Sequence, residues 1–383
     1  MFRFLLMATM VAPPSVATSA PLDLLVGSYT GDGGPGIYVF RFDPASGRLE
    51  QRPWQTVQLH NPSWLVLAPD RRHVYAVNEN GPEQPDPVGR VSRLRLDPAT
   101  HRLELDGQVP SLGDEPTHAS LSPDGRYLFV ANYAVNADPG GTLAVVPVAA
   151  DGSLRPPTQL SSYQASGVDR ERQASAHVHS ATMAPDGRHL LVADLGGDRV
   201  YAYRYDPQAS AERPLRPAPE PFVALPPGSG PRHLVFDATG RHAYLTLEMS
   251  GQVAVLDYAD GRLAVREVLD LFAPGFSGDN GAGAIHLSAD GRFLYAVNRG
   301  SDNHIVVFAV DPHDGGLRQL QRRAAGGRQP REFAIAPGGR FVLVAAQGDD
   351  RITVIERDDR TGLLGRSVQQ VEVAAPSDLK FLP

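Results

Sequence analysis

Histidine, arginine and glutamate are the side chains in this sequence best suited to moving protons and holding anions. Two of the twelve histidines, His177 and His179, stand one residue apart in AHVHS, just ahead of an apolar run. Imidazole exchanges a proton near neutral pH, and alternate residues of an extended segment share a side. Arg232, Arg299 and Arg331 are candidates for clamping a carboxylate or phosphate and for stabilising an oxyanion. Glu248 is a candidate general base, although an adjacent arginine would lower its pKa and weaken it in that role. Two histidines and a glutamate could also bind zinc, but the i,i+2 spacing offers no third ligand, so no metal is expected. There is no G-x-S-x-G elbow and no dinucleotide fingerprint, which removes serine-hydrolase and nicotinamide chemistry and leaves no expected cofactor.

Such groups act together only if the fold brings them together. The chain has 383 residues, no cysteine, 38 glycines and 34 prolines. The missing cysteine excludes disulfides and thiolate chemistry, and the many turn formers point to an all-β fold. A net charge of −7 with no basic stripe argues against a nucleic-acid partner. MFRFLLMATMVAPPSVATSAPLD has the layout of a secretory signal peptide: Arg3, a short apolar run and small residues, with cleavage plausible after Ala17. Residues 1–20 are assigned to this signal and 21–383 to a single domain, periplasmic or secreted. Without such a signal the protein would be cytoplasmic. The apolar run is too short for a stable membrane span.

Six segments repeat one pattern, among them NPSWLVLAPDRRHVYAVNEN, EPTHASLSPDGRYLFVANYA and HVHSATMAPDGRHLLVADLG. Each is a strand, a P-D-G-R-type turn and a second strand. The turn arginines, Arg72, Arg126, Arg188, Arg241, Arg292 and Arg340, are separated by 54, 62, 53, 51 and 48 residues. A period near 50 with β-type units means a propeller. Seven third strands follow, such as GIYVFRFDP and HIVVFAVDP, against six complete pairs. APSDLKFLP at the end and LDLLVGSYT near the start supply the seventh pair, which closes the ring and removes an exposed sheet edge. The expected fold is a seven-bladed β-propeller sealed by strands from both termini.

In that fold the start of each first strand and the end of each second strand lie on one face. Nine residues before each turn arginine stand Ser63, Thr117, His179, Arg232, Gly283 and Arg331. Seven after it stand Glu79, Tyr133, Leu195, Glu248, Arg299 and Gln347, and the split blade adds Ser377 and Tyr29. With the first strand innermost, both columns converge on an axial funnel. The longest connections, SSYQASGVDRERQASAHVHS and LFAPGFSGDNGAGAIHLS, run over the same face.

LLVGSYT, ERQASAHVHS, APDGRHLLVADLGGDRVYAY, GSGPRHLVF, SADGRFLYAVNRGSDNHIVVF and QPREFAIAPGGRF, in that order, resemble the lactonase seven-bladed propellers. This family is typified by propeller-type 6-phosphogluconolactonases and carboxymuconate-lactonizing enzymes. The resemblance implies that the HxH motif falls on His177 and His179, the PRH motif on Arg232 and His233, the family glutamate on Glu248, the NRG motif on Arg299 and the PRxF motif on Arg331. Leu247 replaces the asparagine that many relatives carry beside that glutamate. The implied activity is metal-independent hydrolysis of a sugar lactone or phospholactone to the aldonic acid. Glu248, His179, Arg232 and Arg299 would be catalytic, while His177, Arg331 and His233 would bind the lactone or its acid anion. His118, His233 and His286 could equally serve packing. Alternatives are muconate-type lactonization and a non-catalytic propeller that binds a ligand or another protein.

Overall fold

The computed structural model describes residues 20–382 except 32, 137 and 209. All but the last residue of the expected signal segment lie outside the described residues. Apart from one 3₁₀ turn, Gln347–Asp349, every regular element described is a β-strand. The strands form seven antiparallel sheets, six of four strands and one of five.

Each complete blade runs outward from its first strand. The third repeat shows the logic: Val178–Met183, His189–Asp194, Arg199–Tyr205 and Leu215–Ala224. Second strands such as Phe293–Asn298 and Phe341–Ala346 are buried at every position, as expected of strands covered on both faces. Outer strands such as Leu364–Glu372 are largely exposed. The turns work as their chemistry predicts. Asp186 Oδ1 accepts the Arg188 amide at 2.7 Å, and the following glycines take positive φ, 65° at Gly187 and 69° at Gly125. In the first repeat Arg71 occupies that glycine position and still takes φ 56°.

The seventh blade joins the chain ends. Pro376–Phe381 lies inside Leu22–Ser28, with Leu379 opposite Val26 and Phe381 opposite Leu24. Seven hydrophobic clusters hold the ring, each filling the wedge between two neighbouring blades. The first strands face the axis, and hydroxyl-to-carbonyl bonds tie them to neighbouring blades, two from first strands and one from the second strand His242–Leu247. Ser180 Oγ donates to Arg232 O at 2.6 Å, Thr117 Oγ1 to His179 O at 3.3 Å and Thr246 Oγ1 to Gly283 O at 3.1 Å. The all-β, seven-bladed, terminally closed architecture read from the turn spacing is the one observed.

Candidate active site

Where the first strands begin, repeats three to five contribute His179, Arg232, Glu248 and Arg299. Strand Pro231–Phe236 carries Arg232. The turn after His242–Leu247 carries Glu248, whose amide donates to Gly230 O at 2.6 Å. Arg299 follows Phe293–Asn298, and its Nε donates to Gly281 O at 2.9 Å, which fixes the direction of the guanidinium.

These side chains meet at one carboxylate. Glu248 Oε2 lies 2.9 Å from Arg232 Nε, 2.8 Å from Arg299 Nη2 and 3.7 Å from His179 Nε2. Glu248 Oε1 accepts from Arg172 Nη2 at 2.7 Å. Three guanidinium groups on one carboxylate leave a net positive site. Arg232 is only 1% exposed and Glu248 7%, so solvent screens these charges little.

Burial alone would raise the Glu248 carboxyl, but the charges of Arg299, Arg232 and Arg172 outweigh it and hold the group well below the usual carboxylate range. Burial, then Arg232, keeps His179 neutral by pushing its pKa well down, against the pull of Glu248. Burial and then the Arg299 charge bring Arg232 down to about 9 in spite of Glu248. It still carries its charge at neutral pH.

Arg172 escaped the repeat columns because it stands on the long connection between Gln159–Ser161 and Val178–Met183. Asp169 Oδ1 accepts the Glu171 and Arg172 amides at 2.9 and 2.8 Å. Buried Gln173 anchors the segment through Leu195 O at 2.9 Å. These bonds aim Arg172 inward, where its Nη2 also meets Tyr133 OH at 3.1 Å.

His177 and His179 both pack on Tyr133, His179 edge-on with centroids 5.8 Å apart, but only His179 approaches Glu248. The pairing register shifts between Val178 and Ser180, so alternation fails there. The His177 ring stacks on Tyr133 with centroids 4.4 Å apart, and its Nδ1 meets Tyr133 O at 2.6 Å. Arg331 lies in a separate cluster with Tyr29 and Glu79, all three from the funnel columns. Arg331 Nη2 is 3.2 Å from Glu79 Oε2, to which Tyr29 OH donates at 2.7 Å, and the Arg331 guanidinium sits 5.1 Å from the Tyr29 ring centroid. His233 points beneath Arg232, with Nδ1 3.3 Å from Arg232 Nη1 and its ring 5.1 Å from that of His179.

Asp186, His189 and Asp260, at the turn-bearing end, place three potential metal ligand atoms near one another. His189 Nδ1 already meets Asp186 Oδ2 at 2.7 Å, and His73 meets Asp70 in the same way in the first repeat. We read the trio as a recurring turn brace.

Residues 23–381 match the family model described as lactonase, 7-bladed beta-propeller. Two curated relatives are named 6-phosphogluconolactonase. That of Formosa agariphila is 32% identical over 94% of this chain and 99% of its own. That of Bacillus subtilis is 30% identical over 93% of this chain and 97% of its own. The solved structure of a periplasmic gluconolactonase from Pseudomonas aeruginosa superposes with a TM-score of 0.92 at 52% identity, covering 95% of this chain and 99% of that one. Fold, site geometry and these relatives agree, and the chain belongs to the lactonase family of seven-bladed β-propellers.

Proposed function

We propose that the protein hydrolyses an unphosphorylated sugar lactone of the gluconolactone type. The observation that carries this reading is the array of three arginines around Glu248, buried beside a neutral histidine. Addition of water to a lactone carbonyl builds negative charge on the carbonyl oxygen, and a preorganised positive site in a desolvated pocket is what stabilises it. Arg232 and Arg299 are assigned that role. Glu248 remains ionised and holds the guanidinium groups in register. Both of its oxygens already accept from guanidinium groups, which leaves the neutral ring of His179, 3.7 Å away, as the acceptor of the water proton. His177 and Arg331, from the two flanking clusters, are assigned to the sugar hydroxyls or to the product carboxylate.

The preference for an unphosphorylated substrate rests on two supports. The 52% identical neighbour is a periplasmic gluconolactonase, and the N-terminal sequence has the layout of a secretory signal. A periplasmic location accompanies this reading.

The test is a pH-stat assay of purified protein against glucono-δ-lactone and 6-phosphogluconolactone. Higher kcat/KM on the unphosphorylated lactone is expected. Preference for the phospholactone would overturn the substrate assignment, and silence on both would overturn the lactonase reading.

A further inference from the structure

Six residues after the turn arginine, near the end of the second strand, repeats one, two and five carry Asn78, Asn132 and Asn298, and repeat three carries Asp194. All four side chains are buried. Where asparagine stands, its amide ties the second strand to the connection that leads into the blade. Asn298 Oδ1 accepts the Gly281 amide at 3.0 Å, and Asn78 Nδ2 donates to His60 O at 2.5 Å. A neutral amide is therefore enough for this tie. A carboxylate in the same place is costlier to bury.

Asp194 Oδ1 accepts the His177 amide at 2.8 Å and the Gly196 amide at 3.1 Å. These amides belong to the end of the long connection and to the turn on which it rests. Ser166 N donates to Gly196 O at 2.8 Å, Leu195 N to His177 O at 2.9 Å and Gln173 Nε2 to Leu195 O at 2.9 Å. A Cβ on Gly196 would stand 2.0 Å from Ser175 O, so turn and connection meet backbone to backbone. Arg172 lies between these anchors, one residue before Gln173.

No cation compensates the carboxylate. Asp194 Oδ2 is buried and meets no partner among the described residues. Arg199 stands opposite Asp194 in the strand pairing, but its guanidinium lies over the Phe222 ring, 4.4 Å from the centroid. The His177 ring is turned to Tyr133 O. The other titratable groups whose charge would reach Asp194 are Asp198 on the turn, Tyr163 on the connection and Tyr201 on the third strand. Burial raises the Asp194 carboxyl to about 6, against the His177, Gly197 and Gly196 amides, and Asp198 adds to the rise. The carboxylate gains acceptor strength, because a hydrogen bond to an ionised acceptor is roughly twice as strong as a neutral one.

We infer that Asp194 is a positioning residue for the site: its ionised carboxylate locks the long connection onto the turn at 195–197 and so holds Arg172 against Glu248, and protonation of Asp194 loosens that hold. The kinetic consequence rests on the lactonase reading of the arginine cluster, whereas the lock itself does not.

Asp194→Asn keeps the size and an acceptor oxygen but not the charge. On glucono-δ-lactone at pH 7.5 its KM should rise about fivefold with kcat within twofold. The KM of the native protein should climb by a similar factor between pH 7.5 and pH 5, while that of Asp194→Asn stays flat. The native pH series needs no variant, which keeps the test valid if Asp194→Asn does not fold. In an Arg172→Ala background, Asp194→Asn should change KM less than twofold, because both substitutions act through one contact. A merely structural carboxylate would exert its full effect in either background. Hydrogen exchange read by mass spectrometry reports the lock without any substrate: at pH 7.5 residues 166–177 should lose protection in Asp194→Asn, with the other blades unchanged. A native KM that is flat down to pH 5, an undiminished effect in Arg172→Ala, or unaltered exchange over 166–177 would overturn the proposal. Lost protection in a protein silent on lactones would uphold the lock and overturn the lactonase reading instead.

Discussion

Arg172 Nη2 stands 2.7 Å from Glu248 Oε1 across 76 residues of sequence, which ties the longest connection on the funnel face to the most buried carboxylate of the site. The contact is charge-assisted, yet the Arg172 side chain is about half exposed. Its removal leaves Glu248 with two other guanidinium partners. Arg172→Ala should therefore reduce kcat/KM on a gluconolactone by about tenfold, the upper end of what one half-exposed charged hydrogen bond supplies. The loss should fall mainly on KM, because Arg232 and Arg299 remain. Steady-state kinetics separate the two constants, and an unchanged KM with a collapsed kcat would place Arg172 at the reacting carbonyl instead.

Removing either buried arginine is a different perturbation. Arg232→Met or Arg299→Met deletes charge assigned to the transition state, and kcat should drop roughly a hundred- to a thousandfold. Glu248→Gln should cost as much, because it removes the charge that holds all three guanidinium groups in register. Circular dichroism would confirm that each variant is folded. Near-native kcat in folded Arg232→Met would remove that residue from the oxyanion site.

His179 is separated from Glu248 as proton acceptor by the conservative change His179→Gln. The amide keeps polarity but cannot take a proton, so kcat should fall roughly a hundredfold, within the usual range for general-base catalysis, with KM little altered. A kcat within threefold of native would return the base role to Glu248 or to solvent.

The funnel columns make most of the cluster legible in the sequence. A β-turn of fixed length sets a fixed register, so counting from the turn arginine puts His179, Arg232, Glu248 and Arg299 on one face. The same count places Tyr29, Glu79 and Arg331 there, but their mutual pairing depends on which blades adjoin around the ring, and ring closure supplies that. Arg172 was illegible because its connection has no counterpart in the other repeats. The bulge after Val178 separates the two histidines only in part: both rings meet Tyr133, and His179 alone comes near Glu248.

Three buried histidines make stability depend on pH. In the unfolded chain each takes up a proton near pH 6.5. In the folded protein His118, His179 and His233 stay neutral because burial lowers their pKa values, to about 3 at His118. Below about pH 6.5 the unfolded state therefore binds more protons, and stability falls as the pH drops. Asp194 works in the opposite sense, since burial raises its carboxyl to about 6. A net uptake of roughly two protons corresponds to a slope of about 3 kcal/mol per pH unit near pH 5. Thermal melts between pH 7.5 and 5 should show a falling midpoint, with a shallower fall for His118→Phe. A flat profile would mean that these rings are protonated in the fold.

Ring closure rests on Asp378 as well as on strand pairing. This carboxylate is fully buried, and its Oδ2 accepts the Leu65 amide of the adjoining innermost strand at 2.7 Å. Its Oδ1 accepts the Leu379 amide at 2.9 Å and meets Lys380 Nζ at 2.7 Å. One side chain thus links the terminal strand to the innermost strand of the next blade, beside the pairing of the two chain ends. Asp378→Ala leaves two amides and an ammonium without their acceptor, and breaking a buried ion pair from one side costs about 3–5 kcal/mol. Asp378→Asn keeps an acceptor for Leu65 and should cost less. Because the terminal strand Pro376–Phe381 then keeps only its pairing with Leu22–Ser28 and its apolar packing, proteolysis of Asp378→Ala should begin at the C-terminal strand. Mass spectrometry of the first fragments would show this, and initial cleavage elsewhere, with a native melting temperature, would mean that strand pairing alone seals the ring.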